Sequence, residues 1–408
     1  MMRKALIFML GLAIAGPVPS GGAAQDLTAI ARVDPAASAI RDGWRGTTQI
    51  TLALSQGVPF RVFTLADPPR LVVDFREADW SGVTADALLA ETDGVVAARF
   101  GAFQPGWSRL VADLAGPLLP DDIAMPVDPV TGRAELSITL RPARTEDFAA
   151  AAGAPANALW PRGPALPDAA PAGDDRFVVV IDPGHGGIDP GAERDGVTEK
   201  DLMLTIARSL RDTLVRSGLA DVVLTRDEDI FVSLERRVAL AHRAGADVFV
   251  SLHADILSQG GAQGATVYTL SDAASDSATE QLAARHNRAD IIAGADLTGS
   301  DDQVAGILLD LARQETEPRS LALANSLVAG MKAAGGPMNS RPLRRAGFSV
   351  LKSADIPSIL VEVGFLSSER DLNNLRDPVW RAVAVAAMAD AILAWRDRDE
   401  ARRALVRQ

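Results

Sequence analysis

The sequence contains no cysteine, which excludes disulfide bonds and thiolate metal ligands. A zinc ion bound here must be held by His, Asp or Glu side chains. Histidine is itself scarce, with four in 408 residues. Basic charge is in deficit too. The formal net charge of −12 argues against a general affinity for nucleic acid, whose phosphates call for basic patches. Beyond the N-terminal run, no segment reaches the roughly 18 uninterrupted apolar residues of a permanent membrane helix. The glycine-rich turn at residues 184–187 lacks a following Lys-Ser/Thr, which argues against a nucleotide P-loop.

What is present points to two domains. The chain is 48% hydrophobic and too long for one ordinary core. Arg3 and Lys4 precede a compact apolar run over residues 5–15, and Gly22-Ala23-Ala24 supplies small residues for cleavage. Residues 1–24 therefore read as a signal peptide, with an uncleaved anchor as the alternative. The run is too short for a lasting bilayer span. This reading places the mature chain in the periplasm.

Residues 27–143 alternate apolar and polar at period two. The segments 48–54, 61–65, 70–75 and 135–140 follow that rule, cut by Gly, Pro and Asp. Short strands between turn signals predict a small all-β sandwich. No histidine falls in it, so it is expected to bind or localise. Residues 144–175 turn to Ala and Pro, a semi-extended linker.

From 176 to 398 strands and helices alternate, predicting an α/β domain with a mostly parallel or mixed sheet flanked by helices. Strands are expected at 177–181, 221–225, 248–252, 266–270, 348–351 and 358–363. Helices are expected after Thr198 (with Asp201 as a capping partner), at 233–244 and at 378–395. Sites in such sheets collect at the carboxyl ends of strands.

All four histidines lie in this second region. His185 and His253 each follow an apolar strand, and Glu362 ends a third. A carboxylate there is costly to bury without a partner. Glu199, in the first turn of a helix, would close the set. Three ligands with an open position suit zinc, the fourth group serving as general base. The residues alone leave alternatives: strand-end histidines that are merely hydrogen-bonded, Glu199 as a helix-start carboxylate, and the glycine turn as an anion cradle.

Four motifs now stand in order: Asp182-Pro183-Gly184-His185-Gly186-Gly187, the Glu199 helix, Ser251-Leu252-His253-Ala254-Asp255, and Pro357 to Phe365 around Val361-Glu362-Val363-Gly364. Together they resemble the zinc-dependent N-acetylmuramoyl-L-alanine amidases, over about residues 177–395. The N-terminal region resembles the AMIN domain that often precedes them at the cell envelope. The resemblance implies zinc bound by His185, Glu199 and His253, with Glu362 as catalytic base. It implies peptidoglycan as substrate, cut between N-acetylmuramic acid and L-alanine during daughter-cell separation. A zinc peptidase cutting within the stem peptide, or a non-catalytic envelope-binding protein, remains the alternative.

Residues 272–318 exceed what a crossover needs, with helices expected at 275–293 and 304–314. Amidases of the cell-division type carry a similar insertion that covers the zinc until a partner, a LytM-type activator, displaces it. In relatives a carboxylate or amide tends to stand where this chain has His286. The expectation is that His286, or Glu280, plugs the open position; a solvent-facing histidine is the alternative. His242 is expected to be structural.

Overall fold

The computed structural model of the chain describes residues 30–76, 78–104, 106–154, 176–257, 262–289, 306–353 and 355–406. The signal-peptide reading falls outside them, as does most of the expected linker.

Two four-stranded antiparallel sheets form the N-terminal sandwich. One contains β1 (Ala39–Asp42), β2 (Thr48–Leu54), β7 (Leu118–Ala124) and β8 (Ala134–Pro142), in the order β1-β2-β8-β7. The other contains β3 (Phe60–Leu65), β4 (Arg70–Arg76), β5 (Val95–Gln104) and β6 (Trp107–Leu114), in the order β3-β4-β6-β5. Alternate residues point inward, as the period-two pattern requires. Ile50, Leu52, Leu71, Val73, Leu110, Leu136 and Ile138 fill the core. Residues 145–151, expected to begin the linker, instead form a helix, Thr145–Ala151, whose Phe148 is buried in that core. One aromatic side chain outweighed the alanine-rich composition around it.

The second domain is a six-stranded mixed sheet. Its strands are β9 (Val178–Pro183), β10 (Asp221–Leu224), β11 (Val248–His253), β12 (Ala265–Leu270), β13 (Met338–Ala346) and β14 (Ser358–Glu362). The order is β10-β9-β11-β14-β12-β13, parallel throughout except the β12–β14 pair. Helices α1 (Glu199–Arg216), α2 (Leu234–Arg243), α3 (Ser277–His286), α4 (Gly306–Ala333), α5 (Glu369–Arg376) and α6 (Pro378–Val406) flank it. Val179, Ile181, Val250, Leu252, Ile359 and Val361 pack on one face against a helical layer. That layer supplies Ile206 and Leu210 of α1, Leu327 of α4, and Ile392 and Trp395 of α6. Val180, Phe249 and Leu360 face the other way, toward Phe348, Leu282 and Ala283. Burial on both faces explains why these strands read as continuous apolar runs.

Three expectations are corrected. Residues 348–351 are not a strand; Ser349–Leu351 is a 3-10 turn, and the strand lies earlier, at β13. The arginine-rich β13 is an edge strand, so it lacks the apolar run that marks the central ones. Helix α4 runs on past Pro318 well beyond the inserted segment's expected end. Helix α6 outlasts residue 395, and by length and composition its Pro378–Arg403 stretch passes for a membrane span. Its Met388, Ile392 and Trp395 are instead core residues of this domain. Residues 290–293 and 304–305 of the expected inserted helices lie outside the described residues.

Candidate metal centre

Three carboxyl-terminal strand ends converge. His253 is the last residue of β11 and Glu362 the last of β14, and the two are register partners. His185 follows β9 after a two-residue step and sits at φ 59, a left-handed conformation uncommon outside glycine. Two buried arginines hold that turn. Arg237 donates to the carbonyls of Pro183 and His185, and to Asp182 Oδ1 at 2.5 Å. Arg226 donates to the carbonyls of Pro183, Gly184 and Lys200. Burial lowers the Arg226 pKa to about 10, and Arg237 nearby acts in the same sense.

Glu199 opens α1, as expected. The capping detail differs: Thr198 donates its hydroxyl to Asp201 Oδ2 at 2.6 Å, and its side chain caps no backbone N–H. The Glu199 carboxylate is fully buried and anchored by two backbone donors, Ala254 N to Oε1 and Ala192 N to Oε2, each at 2.9 Å.

His185 Nε2 lies 3.2 Å, and His253 Nδ1 3.0 Å, from Glu199 Oε1. One ligand atom from each of the three residues falls within 4.8 Å of the others. His185 Nε2 is buried and has no hydrogen-bond partner, which fits a nitrogen meant for a metal. Its Nδ1 meets Asp189 Oδ2 at 2.9 Å, the carboxylate–histidine arrangement that fixes a ligand's tautomer and orientation. The two-nitrogen, one-oxygen donor set suits zinc.

The electrostatics separate the roles. Burial opposes charge on His185, but Asp189 and Glu199 carry its pKa well above the ordinary value. Burial also pulls Glu199 upward, yet His185 and its hydrogen bonds leave it well below. His253 is held down to about 4 by burial and the adjacent His286. Glu362 is pushed well above the usual carboxylate range by burial, then by Glu199 and Asp255. Its Oε2 accepts from Asp255 N at 2.9 Å, while Oε1 is buried without a hydrogen-bond partner.

Helix α3 closes over this group. His286 is buried, its Nε2 3.2 Å from Asp255 Oδ2 and 3.8 Å from Glu362 Oε1. Its ring centre stands 4.2 Å from that of His253. Glu280, the other expected plug, is exposed in the first turn of α3, so the structure removes it from the site. Arg285 pairs with Asp255 at 2.9 Å, and Asn287 clamps the 347–349 turn through Gly347 O and Ser349 N. His242 lies elsewhere, bonded to Asp355 and Ser353.

Sequence reasoning assigned no role to Asp189, Asp255, Arg226 or Arg237. Asp255 stood inside a quoted motif and Asp189 four residues beyond His185; the arginines carried no local signal. A Cβ on Gly184 would collide with His253 Cε1, so this glycine makes room for an imidazole.

Residues 179–394 match the N-acetylmuramoyl-L-alanine amidase family, and residues 40–135 match the AMIN domain. The chain is 33% identical over 371 residues to N-acetylmuramoyl-L-alanine amidase AmiC of Escherichia coli O6:H1, spanning 85% of each protein. It is 33% identical over 363 residues to AmiC of Neisseria meningitidis serogroup B, spanning 85% of this chain and 86% of that one. With AmiA of Escherichia coli K12 the identity is 39% over 235 residues, 57% of this chain and 80% of the relative. The chain belongs to the N-acetylmuramoyl-L-alanine amidase family, with an AMIN domain ahead of its catalytic domain.

Proposed function

We propose that this amidase hydrolyses the bond between N-acetylmuramic acid and L-alanine with His185, Glu199 and His253 as zinc ligands and Glu362 as general base. The observation that carries the reading is the pairing of three converged donors with the unpartnered Oε1 of Glu362 beside them. Zinc, when bound, supplies the Lewis acidity that polarises a carbonyl and eases deprotonation of water. Glu362 Oε1 takes the proton of the attacking water as oxygen adds to the lactyl carbonyl carbon. The carbon–nitrogen bond then breaks, and Glu362 returns the proton to the departing amine of L-alanine. Asp255 N holds Oε2, so the working oxygen stays directed at the site.

The closed position of α3 supports autoinhibition. His286 Nε2 stands over Glu362 and Asp255, where the attacking water and substrate carbonyl need room. This refines the sequence expectation, in which the imidazole filled a coordination position. Opening requires breaking the Arg285–Asp255 pair and the Asn287 clamp, a task suited to an activator of the LytM type. The proposed organisation is a signal peptide at 1–24, a sandwich that extends through the helix Thr145–Ala151, a linker between that helix and residue 176, and a catalytic domain from 176 through α6, acting in the periplasm during cell separation.

Metal analysis of variants tests the assignment. Glu199→Ala and His253→Ala lose zinc together with activity; Glu362→Gln keeps zinc and loses activity alone. Zinc retained at full stoichiometry in Glu199→Ala would overturn the ligand set.

A further inference from the structure

The sandwich docks on the loop that carries His185. Strand β5 is an edge strand, and edge strands leave backbone groups unpaired. The Ala102 carbonyl of β5 accepts a hydrogen bond from Ile188 N at 3.0 Å. Ile188 adjoins Asp189, the residue that holds His185 Nδ1. Around this bond Phe63, Leu65, Val72 and Val111 of the sandwich share one buried cluster with Ile188 and Phe231 of the catalytic domain.

The contact has a built-in stack. Asp74 is buried and grips Arg109 through two hydrogen bonds. The Arg109 guanidinium lies 3.5 Å over the ring of Phe103, and Phe103 stacks on Phe231 with ring centres 5.7 Å apart. Such cation–π and aromatic pairs contribute beyond area burial. Gly187 is matched to the approach: it sits at φ +58, and a Cβ there would collide with Ala102 O. What approaches this glycine closely is the backbone of the neighbouring domain.

We propose that the sandwich is part of the support of the metal centre, with Phe103 as a positioning residue that acts through Ile188 and Asp189 on His185. His185 holds a left-handed φ of 59, and such strained residues persist only where their surroundings over-determine them. Docking adds to the hold of Arg226 and Arg237 a constraint from outside the catalytic domain. Undocking removes the Ile188 hydrogen bond and the apolar cover of the 187–189 segment, which leaves its ties to Asp229, Lys200 and Gly186. That loosens the Asp189 contact and weakens metal binding. The proposal rests on the assignment of His185 as a zinc ligand.

The test is a double-mutant cycle in the full chain: parent, Phe103→Ala, Phe231→Ala and the double variant, with zinc affinity measured by competition against a chromophoric chelator. Loss of outer supports of metal ligands typically costs 10–100-fold in affinity, so each single variant is expected to bind zinc about tenfold more weakly. The double variant should lose little more, because both changes break one contact. The visible spectrum of the cobalt-substituted protein should shift in the same variants, since it reports geometry at the ligands. Trp44→Ala, on an exposed sandwich site, leaves both readouts unchanged. Circular dichroism checks that Phe103→Ala keeps the sandwich folded; Phe103→Leu, which keeps apolar contact but no stack, replaces it otherwise. Parent-like zinc affinity and cobalt spectrum in the folded undocking variants would overturn the proposal. A parent that binds no zinc would instead sink the ligand assignment beneath it.

Discussion

His253 and Glu362 stand opposite each other on neighbouring parallel strands, one inter-strand step apart. That single register places an imidazole whose pKa burial and His286 lower to about 4 beside a carboxyl that burial, Glu199 and Asp255 push well above the usual carboxylate range. A nearby cation favours the ionised carboxylate, so a metal held by the proposed ligands would bring Glu362 back toward the ionised form that the proposed base role needs.

Replacing Glu362 with Gln keeps shape and removes basicity. Turnover of peptidoglycan should fall by roughly 10²–10⁴, the usual worth of a positioned general base, with zinc content unchanged. Initial rates with metal analysis on the same sample check both halves.

His286→Ala should raise basal activity roughly tenfold, within the range typical of coupling between a regulatory element and a site. Dye release from labelled peptidoglycan, without any activator, reads the effect. An unchanged rate with zinc retained would remove His286 from regulation.

Zinc affinity should rise with pH. Burial opposes the His185 proton, but Asp189 and Glu199 hold it well above the ordinary imidazole range. Binding at Nε2 expels that proton, so affinity climbs by up to about tenfold per unit while His185 is charged, then levels off. Chelator competition at several pH values measures the slope; a flat line would mean a neutral His185 in the free protein.

Phe148→Ala should destabilise the sandwich by about 3–5 kcal/mol, the range for emptying a buried aromatic site. Phe148 is 2% exposed although it lies in sequence that reads as linker. Denaturant unfolding with two transitions should show the loss in one alone.

The central strands were legible because burial on both faces leaves continuous apolar runs, and the strand-end residues His185, His253 and Glu362 followed from them. Glu199 was legible as a helix-start acid, but its reach to both histidines needed the tertiary fold. Strand β13 was missed because an exposed edge tolerates arginines, and the 348–351 segment resembled a strand while serving as the turn beneath α3. Asp189 and Asp255 were visible as letters but not as partners: their roles depend on a left-handed turn and on a helix folding back from the insertion. The docking of two domains left only glycines as its trace.

The most direct test is mass spectrometry of the soluble products that the zinc-loaded full chain carrying His286→Ala releases from purified peptidoglycan, beside the same protein with Glu362→Gln added. Intact stem peptides beginning at L-alanine, absent from the second sample, are the predicted result. Shortened stems with their remnant still attached to sugar, or no release from the folded zinc-loaded protein, would contradict the account.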